Sequence, residues 1–334
     1  MRDYQQLHCR IFGMAFIAVA SLSSPSFAIA RSLPVAYAAV SGSHSALWVA
    51  KEAGYFDKQG IATDLIYLGG GQATKVLVSG SAPFISISGS APITAAVQGA
   101  DVTMLSCVLN TFIFSLMSMP EIDKPELLRG KKVGVSRFGA ATDFALRYAI
   151  RQWNLDAAKD LTVLQMGGVP EILAGIQAGV IDAGVLAQPT TLQAKKAGLR
   201  ELVDLGNIGI EYPGSCIVTS KKYVRENHAE TKNFLRAYLE GARRTLSDKT
   251  FASRVLAKYT RVTNPEVLEA TYQDFAKYVQ PMPRPTPAGV KLVLDQMVKS
   301  EPKAASFSPE SIIDTAILQE LQGESGLLPL RKVQ

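Results

Sequence analysis

The same strand–helix unit occurs twice in this chain, and that repetition restricts the fold more than any other feature. In the first copy, a run from Leu33 to Val40 is broken at Gly42-Ser43-His44-Ser45 and followed by a helical pattern to Gly54. A second strand, Ile61 to Leu68, ends in Gly69-Gly70-Gly71. A third, Phe84-Ile85-Ser86-Ile87, leads into Ser88-Gly89-Ser90-Ala91-Pro92. The second copy begins with Lys132-Val133-Gly134-Val135, a loop at Ser136 to Thr142 and a helix from Asp143 to Trp153. It continues with strands at Leu161 to Met166 and Ile181 to Leu186, the latter followed by Ala187-Gln188-Pro189-Thr190. Gly42 and Gly139 are 97 apart, Gly69 and Gly167 98, Gly80 and Gly179 99, Pro92 and Pro189 97. Alternating strands and helices predict α/β lobes built on parallel strands. Four matches in order, each at the same joint, predict two related lobes.

The rest of the chain has a different texture. After a turn at Tyr212-Pro213-Gly214-Ser215 and a short strand, the pattern is mainly helical. Asn264-Pro265, Thr286-Pro287 and Ser308-Pro309 each set a capping residue before a first-turn proline. The 334 residues exceed what a single core usually covers. With 47% hydrophobic and 19% charged residues, the chain is not of the disordered class. Its net charge of +6 is spread out, with no interleaved aromatic residues or groove-reading motif, which argues against nucleic-acid binding.

The first thirty residues have the order of an export signal. Arg2 and Arg10 flank a polar start, Ile11 to Leu22 is apolar, and Pro25 precedes Ala28-Ile29-Ala30, a small-x-small cleavage pattern. Residues 1–30 are therefore expected to be removed after Ala30 or Ala28, leaving a periplasmic protein. Cys107 and Cys216 remain. An oxidising compartment permits a bridge between them, whereas their apolar, strand-like surroundings favour two buried free thiols. His44 and His228 have no partner at metal-ligand spacing, so neither a metal nor a cofactor is expected.

Open α/β sheets bind ligands beyond the carboxyl ends of their strands. Here those ends include four loops: Ser41 to Ala46, Ser86 to Pro92, Ser136 to Thr142 and Leu186 to Thr191. Together they carry one charged side chain, Arg137, and ten hydroxyls. Hydroxyls and free N–H groups at helix starts suit a small polar or anionic group, and Arg137 can add a charge-assisted bond. Against this, such hydroxyls are also ordinary helix caps, and Arg137 can pair with Asp143. Asn110 and Phe112, near the expected crossover, are weaker candidates. Nucleophile-elbow, zinc-protease and Walker-type motifs are all missing, and Gly69-Gly70-Gly71 lacks dinucleotide spacing.

Ala46-Leu47-Trp48-Val49-Ala50-Lys51-Glu52-Ala53-Gly54-Tyr55-Phe56, Leu128-Arg129-Gly130-Lys131-Lys132-Val133-Gly134-Val135 and Ala178-Gly179-Val180-Ile181-Asp182-Ala183 carry a family resemblance. The chain resembles the aliphatic-sulfonate, taurine and nitrate type of substrate-binding protein from ABC importers over residues 33 to 320. The resemblance implies a two-lobe, type II periplasmic-binding fold with a double-crossover hinge. Lobe one would be residues 31–118 plus 207–334, and lobe two 119–206. It implies a monomer that closes on a small molecule and delivers it to a membrane permease and its ATPase. It also implies a cleft lined by Gly42, Ser43, His44 and Ser45; by Ser88, Gly89 and Ser90; by Ser136, Arg137, Phe138 and Thr142; and by Gln188. Arg137 and Phe138 stand where sulfonate binders typically have a small Gly-Ser turn, so Phe138, with Trp48 or Tyr212, can flank a larger or aromatic ligand. Two other functions use this architecture: an enzyme such as a pyrimidine-precursor synthase or a lyase, and a sensory partner of a membrane receptor.

Overall fold

A computed structural model describes residues 32–331, apart from Gly70 and Ser325. The export segment expected at residues 1–30 lies outside the described residues. Among the described residues, ten strands form two five-stranded sheets. In chain order they are β1 (Leu33–Tyr37), β2 (Thr63–Tyr67), β3 (Phe84–Ile87), β4 (Thr103–Leu109), β5 (Ser115–Ser118), β6 (Lys132–Val135), β7 (Thr162–Gln165), β8 (Ala183–Leu186), β9 (Arg200–Asp204) and β10 (Ser215–Thr219).

The first sheet has the order β2-β1-β3-β10-β4 and the second β7-β6-β8-β5-β9. β1 runs parallel to β2 and β3, as β6 does to β7 and β8. The fourth strand of each sheet is antiparallel to both of its neighbours. Position by position the sheets have the same order and orientation, as two copies of one unit should. Gly80 and Gly179 both follow a helix with positive φ, 76° and 67°, the left-handed conformation that glycine adopts without a Cβ clash.

The sheets also exchange strands. The chain leaves β4 of the first sheet and enters β5 of the second through Asn110–Phe114, then returns from β9 to β10 through Leu205–Gly214. Ser115–Ser118, expected at the end of lobe one, is thus a strand of the second sheet. It is buried throughout, with Leu116 opposite Val185 and Val203, and this pairing removes it from the first sheet.

The cysteine expectation is corrected. Cys107 and Cys216 face each other on β4 and β10 and are joined by a disulfide, although 109 residues separate them. β10 enters between β3 and β4 only after the chain has traversed the other sheet, so the local sequence around either cysteine carries no sign of the pairing.

The helices begin where their caps are. Asn264 accepts from the N–H groups of Glu266 and Val267, and Thr286 from that of Gly289. Ser308 starts only a 3-10 turn, and its hydroxyl donates to Glu310 instead. Helix His228–Ser247 packs on helix Ser45–Glu52 at Gly241, where a Cβ would lie 2.3 Å from the Ala46 carbonyl oxygen and 2.6 Å from the Ala50 Cβ. No helix among the described residues is long and apolar enough to cross a membrane.

Candidate functional site

A cavity of about 50 Å³ lies where the carboxyl ends of the parallel strands of the two sheets meet. β1 is followed by Ala38, Ala39, Ser41, Ser43 and His44 on its wall, and β3 by Ser88, Ser90 and Ala91. Across from them are Ser136, Ala140, Ala141 and Thr142 after β6, and Ala187 after β8. Loops of this kind surround the site because a βα unit leaves its strand ends and helix starts on one side of the sheet. Among the described residues, none of the lining side chains is a carboxylate, a lysine or an arginine.

Six of the residues expected at the site are brought together here: Ser43, His44, Ser88, Ser90, Ser136 and Thr142. The others have different positions. Gly42 and Gly89 are close-approach glycines; a Cβ on Gly42 would lie 2.6 Å from the Thr271 methyl, and one on Gly89 2.6 Å from Pro213. Ser45 is fully buried and donates to the Gly42 carbonyl. The Gln188 side chain accepts from the Leu192 N–H at the start of helix Thr190–Lys196, and its carbonyl accepts from the Gly42 N–H, a direct bond between loops of the two sheets. Arg137 and Phe138 point outward, because their loop is fastened inward by other groups: the Phe138 N–H donates to Gln165 and the Gly139 N–H to Asp143. Asp143 is paired with Arg147 at 2.9 Å and so is not the partner of Arg137. Trp48 and Tyr212 are fully buried in the core, stacked on Tyr259 and Phe112 respectively.

Two further strand ends line the cavity and were missed: Tyr67, the last residue of β2, and Gly168 with Val169, just after β7. Gly69 and Gly167 marked these joints in the repeat, and that was the available signal. Ile87, at the end of β3, and Ile113 and Phe114, in the first crossover, complete the wall; the last two directly follow Phe112, which with Asn110 was singled out in the sequence. Phe112 is itself fully buried.

Most hydroxyls at the site are already engaged. Ser136 and Thr142 bond each other at 2.8 Å, and Ser88 donates to the Gly214 carbonyl at 2.6 Å. The Ser90 hydroxyl is buried on the wall beside the Tyr212 hydroxyl, and neither has a well-formed hydrogen bond among the described residues. Ser90 also opens helix Ser90–Val97, and Ala141 opens helix Ala141–Gln152, so two helix N-termini reach the cavity from opposite sheets. Their first N–H groups have no partners inside the helix. Among the described residues, no cluster of His, Cys, Asp or Glu is suited to hold a metal.

Burial takes the His44 imidazole down to about 3, and its Nδ1 lies 2.8 Å from the Ser86 hydroxyl. The ring is therefore neutral at ordinary pH. In the unfolded chain it would titrate near 6.5, so the unfolded state binds the extra proton first as pH falls. The contribution of His44 to stability is complete above about pH 6.5 and is lost as pH falls towards 3. Asp274 has the opposite sign, because burial, reinforced by the charge of Asp204, lifts its carboxyl to about 7. A comparison of wild type with His44→Gln isolates the histidine. The wild type is expected to lose more melting temperature between pH 6.5 and 4 than the variant does, and parallel curves would show that His44 is hydrated rather than buried.

A model of the family described as NMT1/THI5 like matches residues 41–250. The chain belongs to the NMT1/THI5-like family. YtlA of Bacillus subtilis (strain 168) is 21% identical to this NMT1/THI5-like chain over 251 residues, 72% of this chain and 75% of YtlA. Two solved structures with the same fold are the periplasmic aliphatic sulphonate binding protein SsuA from Escherichia coli and the periplasmic nitrate-binding protein NrtA from Synechocystis PCC 6803. SsuA has a TM-score of 0.66 at 20% identity, covering 85% of this chain and 92% of its own. NrtA has a TM-score of 0.73 at 15% identity, covering 89% and 91%. The two-sheet architecture of this NMT1/THI5-like protein is thus that of the periplasmic binding proteins.

Proposed function

We propose that this protein is the extracytoplasmic solute-binding component of an ABC importer, that it captures a small organic anion between its two lobes, and that it does no chemistry on it. The carrying observation is the cavity between the two sheets, which receives two helix N-termini and, among the described residues, is lined by no carboxylate. N–H groups and helix dipoles at those starts stabilise negative charge, and no acidic side chain opposes it. The neutral His44 and the Ser90 hydroxyl add polar contacts. On this reading Ser43, Ser136 and Thr142 also face the solute, and recognition relies on hydrogen bonds rather than on Arg137.

The sheets are joined by two crossovers, and the returning one is tied to the cavity. The Gly89 N–H donates to the Pro213 carbonyl at 2.7 Å, Ser88 donates to Gly214, and Ser215 donates to the Ser43 carbonyl at 2.8 Å. Contact with solute at these loops is therefore felt at the hinge, which supports a receptor whose closure signals occupancy. At about 50 Å³ the cavity is far smaller than the roughly 300–1,000 Å³ of ordinary ligand pockets, so a solute of more than a few atoms has to enter an opened crevice.

The test is thermal unfolding of the mature protein against millimolar sulfonates, carboxylates, nitrate and matched neutral amides. Saturation by a true ligand at about a hundredfold its Kd adds roughly 2.7 kcal/mol. A rise in melting temperature with one class of anion, accompanied by a smaller radius of gyration in X-ray scattering, is the expected result. Stabilisation by the neutral compounds alone would remove the anion, and no stabilisation by any solute would remove the receptor.

A further inference from the structure

Two of the glycines that marked the repeat meet in the folded chain. Gly69 follows β2 and Gly167 follows β7, so they occupy equivalent joints of the two sheets. A Cβ on Gly69 would lie 3.5 Å from the Gly167 carbonyl oxygen, which makes this a seam between the sheets. The Tyr67 hydroxyl sits in the seam. It would be 3.0 Å from a Cβ on Gly69 of its own sheet and 3.0 Å from one on Gly168 of the other. A side chain at either position would press on the hydroxyl, and glycine leaves room for it.

Tyr67 is placed as a cover. It lines the cavity and, at 40%, is the one lining residue among those described that is also exposed. The side chain therefore has the cavity on one side and solvent on the other. Its neighbour in register is Tyr37 of β1, whose ring supports it at 5.7 Å between centroids. The second sheet supplies a contrast. Gln165 ends β7 as Tyr67 ends β2, and it pairs with Val135 of β6 as Tyr67 pairs with Tyr37. The Gln165 side chain accepts from the Phe138 N–H at 2.9 Å and is not on the cavity wall. Of the two equivalent positions, only the one in the first sheet covers the cavity.

We infer that Tyr67 is a one-residue lid, resting on the glycines of the facing sheet, and that small molecules reach the cavity only when its ring lifts. When the sheets part, Gly168 withdraws and the ring loses its far support, so lid and hinge open together. The role of the lid in solute exchange rests on the reading of the cavity as the solute site; its control of access does not.

The experiment needs no solute. Without residues 1–30 the chain has two histidines, His44 on the cavity wall and His228 at the start of helix His228–Ser247, where its side chain is 52% exposed. Acylation by diethyl pyrocarbonate, followed for each histidine by peptide mass spectrometry, reads access to the cavity against an internal control. Nδ1 of His44 is engaged with Ser86, which leaves Nε2 to react. In the wild type His228 should react fast and His44 slowly. Tyr67→Ala is expected to raise the His44 rate at least about tenfold and to leave the His228 rate unchanged. Tyr67→Phe keeps the ring and should keep the wild-type rate. Gly168→Ala, whose methyl would press on the Tyr67 hydroxyl and on Glu171, should raise the His44 rate as well, and it keeps the test valid if Tyr67→Ala fails to fold. An unchanged His44 rate in the folded Tyr67→Ala and Gly168→Ala variants would overturn the lid, as would a wild-type His44 that reacts as fast as His228. That failure is distinct from a failure of the anion screen, which would remove the receptor and leave the lid standing.

Discussion

Replacing both Cys107 and Cys216 with alanine is expected to lower stability by about 2–5 kcal/mol, which in a chain of this size is roughly 5–15 °C of melting temperature. The disulfide closes a loop of 109 residues, and that loop contains the entire second sheet. In the unfolded chain it restrains the ends of a long segment, and this restraint is the entropic part of its effect. In the folded state it joins the two strands, β4 and β10, between which the chain visits the other sheet, so it also fixes the base of both crossovers. The measurement is a thermal or urea melt of the double variant beside the wild type, both without residues 1–30 and hence without Cys9, with a thiol titration under denaturing conditions to establish that this wild type holds no free cysteine. Both sulfurs are fully buried, so mild reductant on the native protein should have little effect until it unfolds. Equal stability of the two proteins would show that the crossovers are held by packing alone.

Gly241→Ala is expected to be strongly damaging for a single added methyl. In an exposed helix, glycine to alanine is stabilising by about 1 kcal/mol, because alanine loses less backbone freedom on folding. At position 241 the methyl would meet the Ala46 carbonyl oxygen and the Ala50 side chain of the facing helix, with backbone on one side and a rigid methyl on the other. The helices must separate, and overpacking of this kind costs about 1–3 kcal/mol. The damage reaches the cavity, because helix Ser45–Glu52 starts beside it and the preceding turn carries Ser43 and His44. Urea unfolding should show a lower midpoint and titration a weaker affinity for whichever solute the wild type binds. A raised midpoint would mean that the two helices stand further apart than the close approach requires.

Much of the fold was legible because its signals are local. Strands Phe84–Ile87 and Lys132–Val135 begin and end where their apolar runs do, bounded by turn residues. Gly80 and Gly179 stop helices at equivalent joints, and Asn264 and Thr286 start them. The polar loops at strand ends were visible as sequence, and half of the residues selected from them face the cavity. The other half lie off its wall, Gly42 and Gly89 for steric reasons and Ser45, Arg137, Phe138 and Gln188 because hydrogen bonds hold their side chains or loops elsewhere, which a composition count does not contain. Gly42 and Gly89 are small because Thr271 and Pro213 press against them, and those neighbours lie far away in the chain.

By itself, then, the sequence determined the α/β class, the duplication and the scarcity of charge at the strand ends, since each depends on residues close together in the chain. Tertiary structure alone decided that Ser115–Ser118 joins the second sheet, that Ser215–Thr219 enters between β3 and β4, that Cys107 meets Cys216, and that Arg137 points to solvent while Tyr67 reaches the cavity. Those outcomes depend on which strand fills an open hydrogen-bonding edge and which loop is fastened to which. That competition is settled between segments a hundred residues apart, and no local propensity encodes it.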